Sequence, residues 1–296
     1  MQNLGTPLVS IITATYNMGH YLRETVDSIL AQTHDRLELI IVDDGSTDDT
    51  WKVLAEYEAD PRVKIVRQAN AGQTAAKNRG LREAKGQFVG FCDADDRWLP
   101  EKLARQLPHF ENAPNLGVVY TGFSCIDGDG RPTPAPRMDC FSGRITAQLL
   151  VDNFVNFPSA LARREAIEKA GCFDTSLSMS IDYNLWLRIS VAWDFLFLPE
   201  SLVEYRLWEG QMSHRTGERL DNAFRMMTRF LSEFPDCVPP AARRYAWAHS
   251  YVTRGRWHAR EGRHMAAAAD FTQAALLRPW DLRLWKSMTK CVLRRL

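Results

Sequence analysis

The stretch Gly86–Pro100, GQFVGFCDADDRWLP, runs from an apolar strand straight into a cluster of carboxylates. Phe88, Val89, Phe91 and Cys92 carry no charge, and Asp93, Asp95 and Asp96 follow at once. Like charges this close repel one another, so a positive partner belongs beside them. On an extended chain residues i and i+2 point the same way, which predicts that Asp93 and Asp95 face one side together. Carboxylate oxygens suit hard cations such as Mg2+ or Mn2+. Two carboxylates without a cage leave coordination positions for substrate phosphates to complete. The bland alternative is a solvated turn whose aspartate caps a helix near RWLPEKL.

The same punctuation recurs upstream. PLVSIITAT (7–15), LELIIVDD (37–44), RVKIVRQ (62–68) and QFVGFCD (87–93) read as short apolar strands. Between them lie helical patterns. In residues 19–32, Tyr21, Leu22, Val26, Ile29 and Leu30 recur at helical spacing. Ser46, Thr47 and Asp48 offer N-caps to a helix reaching about Tyr57, and residues 72–86 form a helix closed by Gly86. Strands this apolar throughout suit a parallel sheet covered on both faces. The fold class is therefore α/β, a Rossmann-like, doubly wound, mostly parallel sheet. In such sheets ligands bind outside the carboxyl ends of the strands. Those ends carry Thr15 and Tyr16, Asp43 and Asp44, and Asp93 and Asp95, so three strands deliver polar groups to one edge.

Composition fits a globular chain: 296 residues, 45% hydrophobic and 25% charged. No run of 18 apolar residues predicts a membrane-spanning helix, and the N-terminal residues lack the pattern of a signal peptide. Six scattered cysteines without a CxxC pair argue against structural zinc and a disulfide framework, and predict free thiols in the cytoplasm. Charge is uneven. Residues 241–296 hold twelve Arg or Lys against Glu261, Asp270 and Asp281, a balance of +9, so the rest of the +1 chain is −8. A basic end on an acidic body points to an anionic partner.

Downstream, IDGDGRPTP (126–134) lacks the closing ligands of a calcium loop and reads as a hairpin turn. DYNLWLRISVAW (182–193) is an apolar helix opened by Asp182, and FLFLPESLVEYRLW (195–208) returns to strand. The expected domains are 1–238, with a donor half of about 1–120 and an acceptor half of about 121–238, and a basic helical extension at 239–296. There Gly255, Ala267, Phe271, Ala274 and Pro279 match one tetratricopeptide-type repeat, with Tyr251 and His258 at variant positions. One repeat is too few for a solenoid, so a helical hairpin is expected. In residues 281–296, Trp285, Met288, Val292 and Leu296 share a face opposite Arg283, Lys286, Lys290 and Arg294. That segment suits an anionic membrane surface, or packs its apolar face on the hairpin.

Five segments carry a family resemblance: VSIITATYN (9–17), IIVDDGSTDDT (40–50), NAGQTAAKNRGL (70–81), GFCDADDRWLP (90–100) and DYNLWLRI (182–189). In order and spacing they resemble the family 2 glycosyltransferases, inverting enzymes of the GT-A fold that use nucleotide-sugar donors. The resemblance spans roughly residues 8–215. It implies that Thr15 and Tyr16 lie at the donor, Tyr16 near its base, and that Asp44 bonds the base's edge while Asp43 supports the turn. It places Lys77 near the diphosphate, Asp93 at the ribose and metal, Asp95 as direct metal ligand and Asp182 as catalytic base, while Trp186 and Arg188 are structural. The implied cofactor is Mn2+ or Mg2+. Asn156, Pro158 and Ser159 fall near the acceptor pocket.

The chain departs from the family in two places. Relatives often have Glu before the catalytic Asp, where Ile181 stands here. They often have His where Trp208 stands. His214 then reads either as a metal or phosphate contact or as an exposed loop histidine. Arg206 either touches the diphosphate or pairs with an acid.

The expected function is metal-dependent, inverting sugar transfer from a nucleotide-sugar donor, with UDP the first candidate. The acceptor is a glycan or lipid-linked molecule of cell-surface polysaccharide synthesis, met in the cytoplasm at the inner membrane face. A haloacid-dehalogenase-type phosphatase wants Thr or Val two places after the second Asp, where Arg97 stands. No P-loop is present, and no nucleic-acid motif. The competing reading is a catalytically degenerate scaffold that recruits a partner.

Overall fold

The computed structural model describes residues 6–212, 215–282, 285, 286, 288 and 289. His214, and Arg283, Lys290, Val292, Arg294 and Leu296 of the terminal amphipathic segment, lie outside them. In chain order the elements are β1 (Val9–Thr15), α1 (Gly19–Leu30), β2 (Leu37–Asp43), α2 (Thr50–Ala55), β3 (Val63–Arg67), α3 (Gln73–Glu83), β4 (Phe88–Phe91), β5 (Arg97–Trp98), α4 (Lys102–Gln106), β6 (Leu116–Ile126) and β7 (Pro132–Thr133). Then come α5 (Thr146–Leu149), β8 (Leu161–Arg163), α6 (Arg164–Lys169), α7 (Ile181–Ser190), β9 (Asp194–Arg206), α8 (Thr216–Glu233), α9 (Pro240–Arg260) and α10 (His264–Leu277).

The chain forms two compact units, one of residues 1–145 and 154–209, the other of 146–153 and 210–296. The first is built on a nine-stranded sheet of order β3-β2-β1-β4-β8-β6-β9-β5, with β7 paired to β6. Its first four strands are all parallel, as apolar strands joined by helices require. Alternation explains why both faces are dry. Val9, Ile11, Leu39 and Ile41 share a core with Leu22, Val26 and Ile29 of α1. Ile12 points the other way and meets α3, where a Cβ on Gly80 would lie 2.5 Å from its Cγ2.

Beyond β4 the sheet turns mixed, since β8 runs antiparallel to both β4 and β6. Residues 127–131 are a hairpin turn between β6 and β7, in which Asp127 Oδ1 accepts the amides of Asp129 and Arg131. Trp186 of α7 is fully buried among Phe91, Phe157 and Phe195. Arg188 donates to the carbonyls of Ala170 and Cys172. Both residues are structural.

Lys102 is buried in this unit, 3.8 Å from the centre of the Trp98 ring, donating to Gln106 Oε1 at 2.9 Å. Burial pushes its ammonium down to about 7 from an ordinary 10.5. Between those values the unfolded chain holds a proton that the folded one lacks, so stability rises with pH across that window. The contribution is about 3–5 kcal/mol. Chemical denaturation of the wild type and Lys102→Met from pH 6.5 to 10.5 should show the wild type gaining on the variant as pH rises, because the opposite effect of the buried thiols, raised by burial, is common to both. Parallel pH profiles would contradict it.

The second unit holds α5 and α8 to α10. Helices α9 and α10 form a hairpin in which Gly255 lies against Phe271, where a Cβ would come within 2.8 Å. Arg254 pairs with buried Asp270 at 2.7 Å. Met288 packs onto Ala248, Val252 and Ala274, so at this position the terminal segment covers the hairpin. No helix among the described residues is long and apolar enough to cross a membrane.

Candidate active site

Register sets the site. Thr15 pairs with Asp43 across β1 and β2, and Ile12 pairs with Phe91 across β1 and β4, so the chain leaves three neighbouring strands at one edge. Tyr16 follows β1 and is 47% exposed. Asn17 adopts a left-handed φ of 54°, tolerable for an Asn whose Oδ1 accepts the amides of Thr47 and Asp48. Asp43 Oδ1 caps the turn through the Ser46 amide.

Asp44 is buried, its amide donating to the Thr15 carbonyl. Its Oδ1 accepts Gln68 Nε2 at 2.8 Å and the Ala71 amide at 2.9 Å, and its Oδ2 accepts the Gly72 amide at 2.8 Å. Gly45 makes this clamp possible. Its φ is +80°, and a Cβ would lie 2.9 Å from the Asn70 amide nitrogen. A carboxylate has about four lone-pair positions, so three donors leave Asp44 one acceptor position.

The acidic stretch departs from expectation in shape. Strand β4 ends at Phe91, and the Asp96 amide donates to the Asp93 carbonyl at 3.1 Å. Residues 93–96 are therefore a turn, not extended chain, and alternation does not govern where Asp93 and Asp95 point. Their carboxylates are held individually. Lys77 Nζ reaches Asp93 Oδ1 at 2.9 Å, and lies 4.2 Å from the centre of the Phe157 ring. Lys77 is buried by α3 and is the positive partner that the cluster demands. Trp208 Nε1 donates to Asp95 Oδ2 at 2.7 Å. Burial and then the charge of Asp93 raise the Asp95 carboxyl, and the Trp208 indole opposes them. Asp96 turns inward. It is fully buried, accepts the Arg206 amide at 2.8 Å, and is pushed well up by burial.

Arg206 is 0% exposed at the end of β9. Its guanidinium donates to the Asp95 carbonyl, to the Asp127 and Gly128 carbonyls and to Glu24 Oε2, beneath the Tyr21 ring. The structure thus gives Arg206 an acid partner, in the person of Glu24, and puts it under the acidic turn. His20 and Tyr21 pack edge-on against Trp208.

Asp182 stands in the first turn of α7, partly exposed, where the helix favours negative charge. The preceding segment is tied to α3: Gln73 donates to the Ser178 carbonyl, Thr74 to that of Leu177, and Asn78 exchanges two bonds with Phe173. Ser180 enters α7 with a φ of 57°. The helix that carries Lys77 thereby also anchors the loop that delivers Asp182.

Among the described residues no three His, Cys, Asp or Glu side chains group as a metal site. Asp93 and Asp95 fit a divalent cation in another way: both are hard oxygen donors, and a cation would offset the burial and the Asp93 charge that raise Asp95. Such a site is incomplete without substrate oxygens. Sequence reasoning missed Glu24, Gln68 and the inward aspartate, Asp96. Trp208, noted there only as a departure, proves to hold Asp95.

Comparison with known proteins bears on this edge. Residues 10–171 match the family model described as glycosyl transferase family 2. A Bacillus subtilis glycosyltransferase assigned to teichuronic acid biosynthesis is 32% identical over 225 residues, 70% of this chain and 82% of the relative. Chondroitin synthase of Escherichia coli is 34% identical over 187 residues, 62% of this chain and 26% of its own. Among solved structures, the Pyrobaculum calidifontis mannosyltransferase in complex with GDP-mannose and Mn2+ superposes with a TM-score of 0.65 at 21% identity, covering 98% of this chain and 81% of that one. S. aureus TarS 1–349 in complex with UDP-GlcNAc gives 0.63 at 17%, covering 90% and 91%. At these identities the structures share the fold.

Proposed function

We propose that this chain, which belongs to glycosyl transferase family 2 and is a sugar-transferring enzyme, is an inverting, metal-dependent transferase acting in cell-surface polysaccharide biosynthesis. The carrying observation is the convergence at one sheet edge of exposed Tyr16, clamped Asp44, the Lys77–Asp93 pair and the Trp208-held Asp95. In this reading the transferase domain is residues 1–238, with a donor half of about 1–120 and an acceptor half of about 121–238, and residues 239–296 are an extension.

Tyr16 offers its ring to the donor base, and the one acceptor position left on Asp44 takes a single base N–H. A pyrimidine with one imino proton fits, so UDP is the first donor, with dTDP presenting the same edge. Lys77 holds Asp93 in place at the ribose. Asp93 and Asp95 would hold Mn2+ or Mg2+, which when bound neutralises charge on the leaving diphosphate. Asp182 takes the proton from the acceptor hydroxyl as that oxygen attacks the anomeric carbon, so one displacement inverts the centre. The basic surplus in 241–296 supports peripheral contact with an anionic membrane, where a lipid-linked acceptor resides.

Calorimetric titration of UDP, dTDP, GDP and CDP with and without Mn2+ tests the donor site. One nucleotide should bind in a Mn2+-dependent way and lose at least about tenfold in affinity in Asp95→Ala, a difference of ~1.4 kcal/mol. Absence of binding by all four would favour the scaffold reading.

A further inference from the structure

The transfer chemistry leaves one feature of the second unit unused. The start of α8 and the last turns of α9 line a cavity of about 720 Å3, a size common to sites for small ligands. Arg215 and Arg219 enter it from one side and Arg256 and Arg260 from the other, with Trp257 as an apolar wall. Gly217 builds that wall, because a Cβ there would lie 2.6 Å from the indole. Any larger residue would push α8 off the ring.

Among the described residues, one of the four charges is paired internally. Arg215 reaches Glu218 at 4.0 Å, and Glu261 also lines the cavity. Among the described residues, Arg219, Arg256 and Arg260 make no ion pair with any carboxylate. Arg256 and Arg260 are spaced i, i+4 on α9, which puts like charges on one helix face at a cost in stability, and Arg215 stands just before α8, four residues from Arg219. Two such pairs facing one hollow are compensated when an anion occupies it. Guanidinium forks suit planar or tetrahedral oxyanions held by paired bonds.

We propose that this cavity is a subsite for an acidic glycan, taking a sugar that bears a carboxylate or phosphate, as part of the acceptor's chain. The assignment rests on the sugar-transfer reading for why a glycan would be present. A concave pocket with an aromatic wall suits a pyranose ring and its charged group. A bilayer surface, in contrast, is met by a helix lying flat with its apolar face buried.

The experiment measures binding of four probes to the full chain: a glucuronate-containing hexasaccharide, a glycerol phosphate hexamer, neutral maltohexaose and phosphatidylglycerol vesicles. Either acidic oligomer should bind while maltohexaose does not, weakening with salt and falling at least tenfold in Arg256→Glu/Arg260→Glu. The milder Arg256→Gln/Arg260→Gln guards against misfolding and should show an intermediate loss. No binding of either acidic oligomer, or binding that both variants retain, overturns the proposal. Vesicle binding alone, lost in the variants, overturns it in favour of a membrane contact. Nucleotide titration run in parallel separates the two readings: it should be unchanged in the variants, and its absence in the wild type would remove the transferase reading without touching the oligosaccharide result.

Discussion

Asp182→Asn is expected to bind nucleotide with wild-type affinity while kcat falls by about 10²–10⁴, the usual worth of a positioned general base. The substitution preserves size and keeps one side-chain oxygen in the first turn of α7. The ability to accept a proton is removed, together with the negative charge. The proposed donor site is on other elements: Tyr16 and Asp44 beyond β1 and β2, Lys77 on α3, and Asp93 and Asp95 after β4. A donor site built from separate strands should not notice the change. The check is calorimetry of nucleotide binding beside a turnover assay at saturating donor. Transfer near the wild-type rate would remove Asp182 from the base role. Loss of nucleotide affinity would show that α7 contributes to the donor pocket. Ile181 sharpens the test, because the chain has no neighbouring carboxylate to stand in; the residue before Asp182 is buried and apolar.

What the sequence disclosed and what it hid separate along physical lines. The parallel half-sheet was legible because its inner strands are apolar on both faces and its helices repeat at their own period, as in Val9–Thr15 and Gly19–Leu30. The strand ends therefore marked the edge at which the proposed site lies. The turn at Asp93–Asp96 was not legible, since alternation holds only while the chain is extended and that depends on where hydrogen bonding to β1 stops. Nor was the division of labour among the carboxylates. Asp95 and Asp96 are neighbours in sequence, yet one accepts from Trp208 and the other from the Arg206 amide. Both partners lie more than a hundred residues away, and one of those bonds uses backbone, which composition does not encode. Glu24 escaped for a similar reason: it occupies an ordinary polar position on α1, and only the fold brings it to Arg206.

Arg206→Met is expected to destabilise the first unit by about 3–5 kcal/mol, and to disable the donor site with it. The side chain is fully buried, and methionine of similar reach fills much of its volume, so packing loss alone would be modest. Unmet polar groups carry the cost. The carbonyls of Asp95, Asp127 and Gly128 would lose a buried donor, at roughly 1–3 kcal/mol for each one left unsatisfied. Glu24 adds less, because it is half exposed and water can replace its partner. Thermal or urea unfolding measures the loss, and Glu24→Gln should cost less than about 1 kcal/mol by the same assay. The two variants together separate charge pairing from carbonyl tethering. If Glu24→Gln matches Arg206→Met, the ion pair is what matters and the tether is incidental. If Arg206→Met alone is severe and its nucleotide affinity falls with it, the acidic turn depends on a cation bound from beneath, through the Asp95 backbone. The negative cluster would then rest on two cations of the chain itself, Lys77 beside it and Arg206 under it, before any metal or donor arrives.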